Sequence, residues 1–440
     1  METINYMYLT KPLEVYKREN GHTIVLAHKE GELVNVSTWV KTGSINENDK
    51  NNGISHFLEH LMFKGTSKHE AGYFDRTLEA KGAIVNAATW KDYTFYYVTL
   101  PKGENCCDLN LAIELHADMM LDPVLPYDEI GAPFDLNDKE VKEKRERHVV
   151  IEEIRMRKDQ AWTKVYNACN YNMYTKHPYK RDVIGTPEII SQVTREDIMN
   201  YYQTFYTPEN MTTIIVGDFN HDEILKKVEK EFDFKGRQNA PHIVREIDTP
   251  VQTTTYVEDT AHVNTSYAMF GWLGPKASDL KETICLDLID IILGDGTSSR
   301  LYQNLVEKLP EQIFNVIDCE HYQFKDGNNF FIQANFKPDK KDEALKLIKG
   351  QLEGLLTNKI TDAELQKAKK KTKTKFAYSA ETVSEIGENI GYYATVCDNL
   401  KLVEDYLKDL EEITVEDLEA VIRKYLNINN AVISVLVPEE

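Results

Sequence analysis

Gly53-Ile54-Ser55-His56-Phe57-Leu58-Glu59-His60-Leu61-Met62-Phe63-Lys64-Gly65-Thr66 carries apolar residues at 54, 57, 58, 61 and 62. Those three- and four-residue steps predict a helix with one face in a core. An echo of the stretch lies 231 residues further on: residues 42–66 align without gaps on 273–297, with Gly43 on Gly274, Gly65 on Gly296 and Thr66 on Thr297. A second echo, at an offset of 220, sets Thr194, Asp197 and Asn210 on Thr414, Asp417 and Asn430. In both copies a Thr-x-x-Asp helix start leads through a tyrosine-bearing helix to an apolar strand, at 214–216 and 432–437. The repeated order of elements predicts two similar domains.

Residues 234–250, with Gly236, Asn239, Pro241 and Pro250 and no sustained periodicity, read as the linker between them. The expected division is an N-terminal domain over 1–235, a linker over 236–250 and a C-terminal domain over 251–440. Strands are expected at 23–27, 34–41, 94–100, 266–271 and 329–335, alternating with long helices. The fold class is therefore α+β: two homologous domains, each a mainly antiparallel or mixed sheet packed against helices.

Composition narrows the function. With 52 basic against 72 acidic residues the chain carries −20, which opposes the phosphate attraction behind most nucleic-acid binding, so no nucleic acid is expected as a partner. The basic run 367–375 lies in a helical pattern and reads as a solvated face. No stretch approaches the 18 or more apolar residues of a membrane span, since even 284–293 is cut by Asp287 and Asp290. The first residues lack the pattern of a signal peptide, and six cysteines without CxxC spacing read as reduced and structural, so a cytoplasmic location is expected.

On the helix predicted over the opening stretch, His56 and His60 are four apart and share a face, and Glu59 points nearby. Two imidazoles and an adjacent carboxylate suit hydrolytic zinc chemistry, and HxxEH is the inverted form of a zinc-protease motif. A catalytic zinc wants a third protein ligand and an open position. The helical run 140–158 offers acids for it, and Glu146 and Glu153, seven apart, share one face.

In these residues the chain resembles the pitrilysin and insulinase family of zinc metallopeptidases. It is most similar to the short-subunit branch that includes the mitochondrial processing peptidase beta subunit and bacterial processing-peptidase-like proteins. The resemblance rests on residues 53–66, Gly82-Ala83-Ile84-Val85-Asn86-Ala87, 149–154, His177-Pro178-Tyr179, Ile184-Gly185-Thr186-Pro187 and 206–218, in that order. It implies one Zn2+ per chain held by His56, His60 and Glu153, with Glu59 as general base and Glu146 as the supporting carboxylate. The run 83–89 resembles the family's edge strand, so Ala83, Ile84, Val85, Asn86 and Ala87 are expected to pair with substrate backbone by β-augmentation. Phe57 is a candidate wall for a substrate side chain, with a core position equally open to it. One departure is a longer spacing between His60 and Glu153, where 127–137 looks like an insertion between helices.

The implied function is zinc-dependent endopeptidase, cutting peptides or short unfolded chains inside a chamber of which each bowl-shaped subunit forms half. The echo puts Asp287, Asp290 and Ile291 opposite His56, Glu59 and His60, so the second half is expected to carry no such metal site. Val306 and Ile313 or Phe314 stand where active family members carry a substrate-holding arginine and tyrosine. The chain is thus expected to be the zinc-bearing half of a heterodimer whose second subunit supplies that pair; Arg300 reads as structural. The rival reading is a zinc-binding subunit without turnover. The general base Glu59 weighs against it, because structural zinc sites usually have four protein ligands and need no base.

Overall fold

A computed structural model describes residues 1–137, 145–355 and 357–439. The chain divides into two units, each drawn from three segments: Met1–Arg155 with Asp182–Val244 and Ala377–Glu404, and Met156–Arg181 with Arg245–Phe376 and Asp405–Glu440.

The first unit is built on strands β1 (Glu2–Ile4), β2 (Leu13–Lys17), β3 (Thr23–His28), β4 (Leu33–Val40), β5 (Ile84–Thr89), β6 (Thr94–Pro101) and β7 (Met211–Gly217). They form one sheet in the order β1-β2-β3-β7-β4-β6-β5. Only β3 and β7 run parallel; every other neighbouring pair is antiparallel. Every residue of β7 is buried, as a central strand covered on both faces requires. The helix Cys107–Leu121 packs on β4 and β6, and the helix Val383–Thr395 on β4 and β7. The latter starts with a capping box from Thr382 and Glu385. It approaches closely because its sheet-facing positions are glycines: a Cβ on Gly391 would lie 2.0 Å from the Trp39 ring, and one on Gly387 would lie 2.7 Å from Asn35.

The second unit repeats the plan with β8 (Thr255–Ala261), β9 (Ser266–Leu273), β10 (Phe314–Tyr322), β11 (Asn329–Phe336) and β12 (Val432–Pro438). Its order β10-β11-β9-β12-β8 matches β5-β6-β4-β7-β3 strand for strand. The single parallel pair recurs as well, between β8 and β12. The helix Ala161–Met173 packs on β9 and β12; here the glycine is on the strand, where a Cβ on Gly271 would lie 2.5 Å from Met173 Sδ.

The α+β class with mixed sheets is thus what forms, and the echoes at offsets 231 and 220 are duplicated architecture. Both Thr-x-x-Asp starts form full capping boxes, Thr194 with Asp197 and Thr414 with Asp417. Residues 239–251 hold no helix or strand. The units differ from a simple split at 236–250, because the helices Ala161–Met173 and Val383–Thr395 each cover the sheet built by the other half of the sequence. An apolar sheet needs cover on both faces, and that cover need not come from neighbouring sequence.

The basic run lies in the helix Asp362–Tyr378, where Lys371 and Lys375 pair with Asp295 and Lys373 with Glu411. No helix among the described residues is long and apolar enough to cross a membrane.

Candidate active site

The helix Ile54–Met62 bears both histidines and begins at Gly53, whose φ of +94° only glycine takes without strain. The backbone is equally crowded there: a Cβ on Gly53 would lie 2.5 Å from the Ile184 carbonyl oxygen. Glu47 serves the first turn of this helix from the preceding loop. Its carboxylate accepts from the amide of Gly53 at 2.8 Å, the amide of Ser55 at 2.9 Å and Asn52 Nδ2 at 2.8 Å. Burial raises its pKa, while these donors favour the ionised form. Nothing periodic in the polar stretch 46–52 marked Glu47 beforehand.

The helix Glu146–Lys158 supplies the acids. Its first turn is pinned by Arg147, whose side chain is entirely buried. The guanidinium donates to the carbonyls of Ser191 at 2.8 Å, Val193 at 2.5 Å and Gly131 at 3.3 Å, and lies 5.9 Å from the Phe57 ring centroid. Burial lowers Arg147 to about 10, so it stays charged at neutral pH. The segment 127–137 is anchored rather than loose: Ile130 is buried, and the Phe134 ring stacks 5.1 Å from His148.

Together these helices bring His56, His60 and Glu153 to one point, with ligand-capable atoms all within 4.8 Å of one another. Glu153 Oε2 lies 3.8 Å from His56 Nε2 and 3.5 Å from His60 Nε2. No other cluster of three such side chains meets that criterion among the described residues. Two imidazoles and one carboxylate are a donor set that suits zinc and leaves room for a further ligand. Glu146 stands behind: its Oε1 accepts from His60 Nδ1 at 2.8 Å, and its Oε2 meets Lys64 Nζ at 2.5 Å. Burial opposes a charged His60 ring, yet hydrogen bonds with Glu146 and Glu153 push its pKa up to about 9. The pocket favours a cation.

Glu59 is buried on the same helix, and its Oε2 accepts from Thr89 Oγ1 at 2.5 Å. Burial raises its pKa above the ordinary carboxylate value, against the lowering pull of Thr89. Neither Thr89 nor Lys64 stood out as a site residue from sequence, although Lys64 lies four residues after His60.

Residues Ile84, Val85, Asn86 and Ala87 form β5 with Ala88 and Thr89, and Ala83 precedes it. β5 is the outermost strand of its sheet and pairs only with β6, so its other backbone edge is open among the described residues. Ile84 and Asn86 are exposed, whereas Ala83, Val85 and Ala87 pack against the core. Phe57 does not wall a pocket: it is 0% exposed and belongs to the core, because at its position on the helix the side chain turns inward with Leu58 and Leu61.

In the second unit, the positions echoing the histidine pair behave differently. Asp287 accepts from His321 at 2.7 Å, Gln323 at 2.8 Å and Tyr406 at 2.9 Å. Asp290, raised to about 8 by burial and by Asp287, has no histidine four residues away, and Ile291 is buried. Arg300 is committed to Glu364 at 2.7 and 2.8 Å and to the carbonyls of Asn358 and Lys359. Ile313 and Phe314 are buried.

Comparison with known proteins identifies the family and the fold. Residues 23–187 match the family profile described as Insulinase (Peptidase family M16), and residues 192–372 match the one described as Peptidase M16 inactive domain. The zinc protease PqqE of Helicobacter pylori is 30% identical over 423 residues, spanning 92% of this chain and 88% of that protein. The uncharacterized zinc protease YmxG of Bacillus subtilis is 27% identical, spanning 93% and 94%. The crystal structure of a protease from Helicobacter pylori superposes with a TM-score of 0.86 at 27% identity, covering 98% of this chain and all of that one.

Proposed function

Because the chain belongs to the insulinase (peptidase M16) family, we propose that it is a zinc-dependent endopeptidase acting on peptides or short unfolded chains. The observation that carries this reading is the convergence of His56, His60 and Glu153, with Glu146 behind His60 and Glu59 alongside.

His56, His60 and Glu153 would hold one zinc per chain, which would supply Lewis acidity toward the scissile carbonyl and toward a water molecule. Glu146, by accepting from Nδ1 of His60, would leave Nε2 as the nitrogen that exchanges its proton for the metal. Glu59 takes the water proton and delivers it to the leaving amine; its burial raises its proton affinity, and Thr89 holds one of its oxygens in place. The open edge of β5 holds the peptide extended, with Ile84 and Asn86 exposed along it.

Val306 and Ile313 or Phe314 donate no side-chain hydrogen bond at the positions where the resemblance places the family's arginine and tyrosine, and Arg300 is occupied by Glu364. We therefore assign the chain to a heterodimer with a second family subunit that supplies those donors and completes the chamber. The same observation supports the alternative of a zinc-binding subunit without turnover. The six unbridged cysteines accord with a cytoplasmic site of action.

The test is cleavage of a mixed fluorogenic peptide library by the zinc-loaded chain, with Glu59→Gln as the control. The endopeptidase reading expects zinc-dependent cleavage, by the chain alone or once the second subunit is added, falling about 1,000-fold or more in the variant. One zinc per chain with no cleavage under either condition would establish the non-catalytic alternative.

A further inference from the structure

In the second unit a cavity of about 320 Å³ opens between residues 298–304 and the helix Lys341–Gly354. Its floor is apolar, from Leu293, Ile332 and Leu352, all buried. Its polar wall carries the amides of Gln303, Asn304 and Gln351 and the ammonium group of Lys308. That size suits one amino-acid residue with an acyl group, and an apolar base with a few convergent polar groups is the usual make-up of a small-ligand site.

Ser299 lines this cavity and is 0% exposed, yet its hydroxyl has no hydrogen-bond partner among the described residues. It stands at the N-cap of the turn Arg300–Tyr302 without capping it. A buried hydroxyl left without a partner is costly, and a polar atom in the cavity would relieve that cost.

The charges on the wall are unequal. Arg300 is neutralised by Glu364 at 2.7 Å. Lys308 reaches only the Asn304 side-chain oxygen, at 3.2 Å, and no carboxylate lies within ion-pair distance of it among the described residues. Asn304 also donates to Gln351 at 2.8 Å. A chain of net charge −20 thus presents one uncompensated cation beside paired amides and an apolar floor. The backbone there leaves regular α geometry, since residues Gln303–Glu307 form a π-helical turn, a feature common where a helix builds a site.

We propose that this cavity binds the C-terminal residue of a peptide: the carboxylate meets Lys308, the last amide meets the Asn304–Gln351 pair, and the side chain lies on the leucine and isoleucine floor. Ser299 supplies a further hydrogen bond. The cavity shares no residue with the histidine cluster, and its binding does not depend on turnover there.

Isothermal titration of the full chain with N-acetyl-leucine tests it, in the presence of a chelator so that no metal in the first unit can hold the carboxylate. Expected is saturable binding with a Kd on the order of 1 mM. N-acetyl-leucinamide should bind at least about tenfold more weakly, as should N-acetyl-leucine to Lys308→Met, while Ser299→Ala weakens it about threefold. Lys308 is exposed, so its variant keeps the fold, which circular dichroism checks. Equal binding of acid and amide, unchanged binding by Lys308→Met, absence of saturation, or equal displacement by inorganic phosphate would each overturn the proposal.

Discussion

Glu146 Oε1 lies 2.8 Å from His60 Nδ1, and since an ionised carboxylate can only accept, Nδ1 carries a proton, which leaves Nε2 as the nitrogen that must give up its own proton to take a metal. Burial alone would raise Glu146, but hydrogen bonds from His60 and Lys64 hold it below its usual range, so it is ionised at neutral pH. Glu146→Gln keeps the shape and removes the charge. Zinc affinity should fall about 10- to 100-fold, measured by competition with a chromophoric chelator. An unchanged affinity would mean that Glu146 does not orient the ring.

Arg147 acts one layer further out. Arg147→Met retains bulk but leaves the carbonyls of Ser191, Val193 and Gly131 without their donor. The expected loss is about 3 kcal/mol of unfolding free energy in urea, with weaker zinc binding, because the turn that places Glu146 loosens. Full stability in this variant would show that those carbonyls find other donors.

The clash distances of the exchanged helix give a sharper contrast. Gly391→Ala would put a Cβ 2.0 Å from the Trp39 ring, so the helix must shift; a loss of about 1 to 3 kcal/mol is expected. Gly350, inside the helix Lys341–Gly354, has open space around it. Gly350→Ala should be neutral or stabilising by up to about 1 kcal/mol, and thermal melts of the two variants separate packing from propensity.

Two buried histidines make stability depend on pH. His22 Nε2 meets Thr213 at 2.9 Å, Thr213 meets Thr38 at 3.2 Å, and Thr38 meets His116 Nε2 at 3.0 Å. Burial lowers both histidines to about 3, so the folded state resists protonation that the unfolded chain accepts below about 6.5. Each therefore stabilises the fold fully above that pH, and the contribution is lost progressively as pH falls toward 3. Between pH 7 and pH 5 the loss should be about 1 to 2 kcal/mol per histidine. His116→Gln should flatten the slope of urea stability against pH; an equal slope would place the acid sensitivity elsewhere.

What could be read before folding follows from how local the signal is. The pairs His56–His60 and Glu146–Glu153 announce themselves through helical spacing, and the strands and capping boxes through alternation and side-chain chemistry. The doubled topology was visible as two offsets because glycine, threonine and apolar positions recur in order. Glu47, Thr89, Lys64 and Arg147 were silent. Their partners are fixed by tertiary approach, and an isolated acid, hydroxyl or cation has no periodicity. Phe57 was open between a wall beside the ligands and a place in the core, and its direction on the helix put it in the core. The exchange of Ala161–Met173 and Val383–Thr395 left no mark either, since an amphipathic helix does not state which sheet it will cover.

That exchange bears on synthesis. A ribosome releases all seven strands of the first sheet by residue 217, but the helix that seals its second face ends only at Thr395. During the translation of nearly two hundred residues Trp39 and its neighbours remain uncovered, a window in which a nascent-chain chaperone or premature association finds apolar surface. A polypeptide stopped at the linker would carry that bare face permanently, so the amino-terminal half cut at 236–250 should prove insoluble on its own.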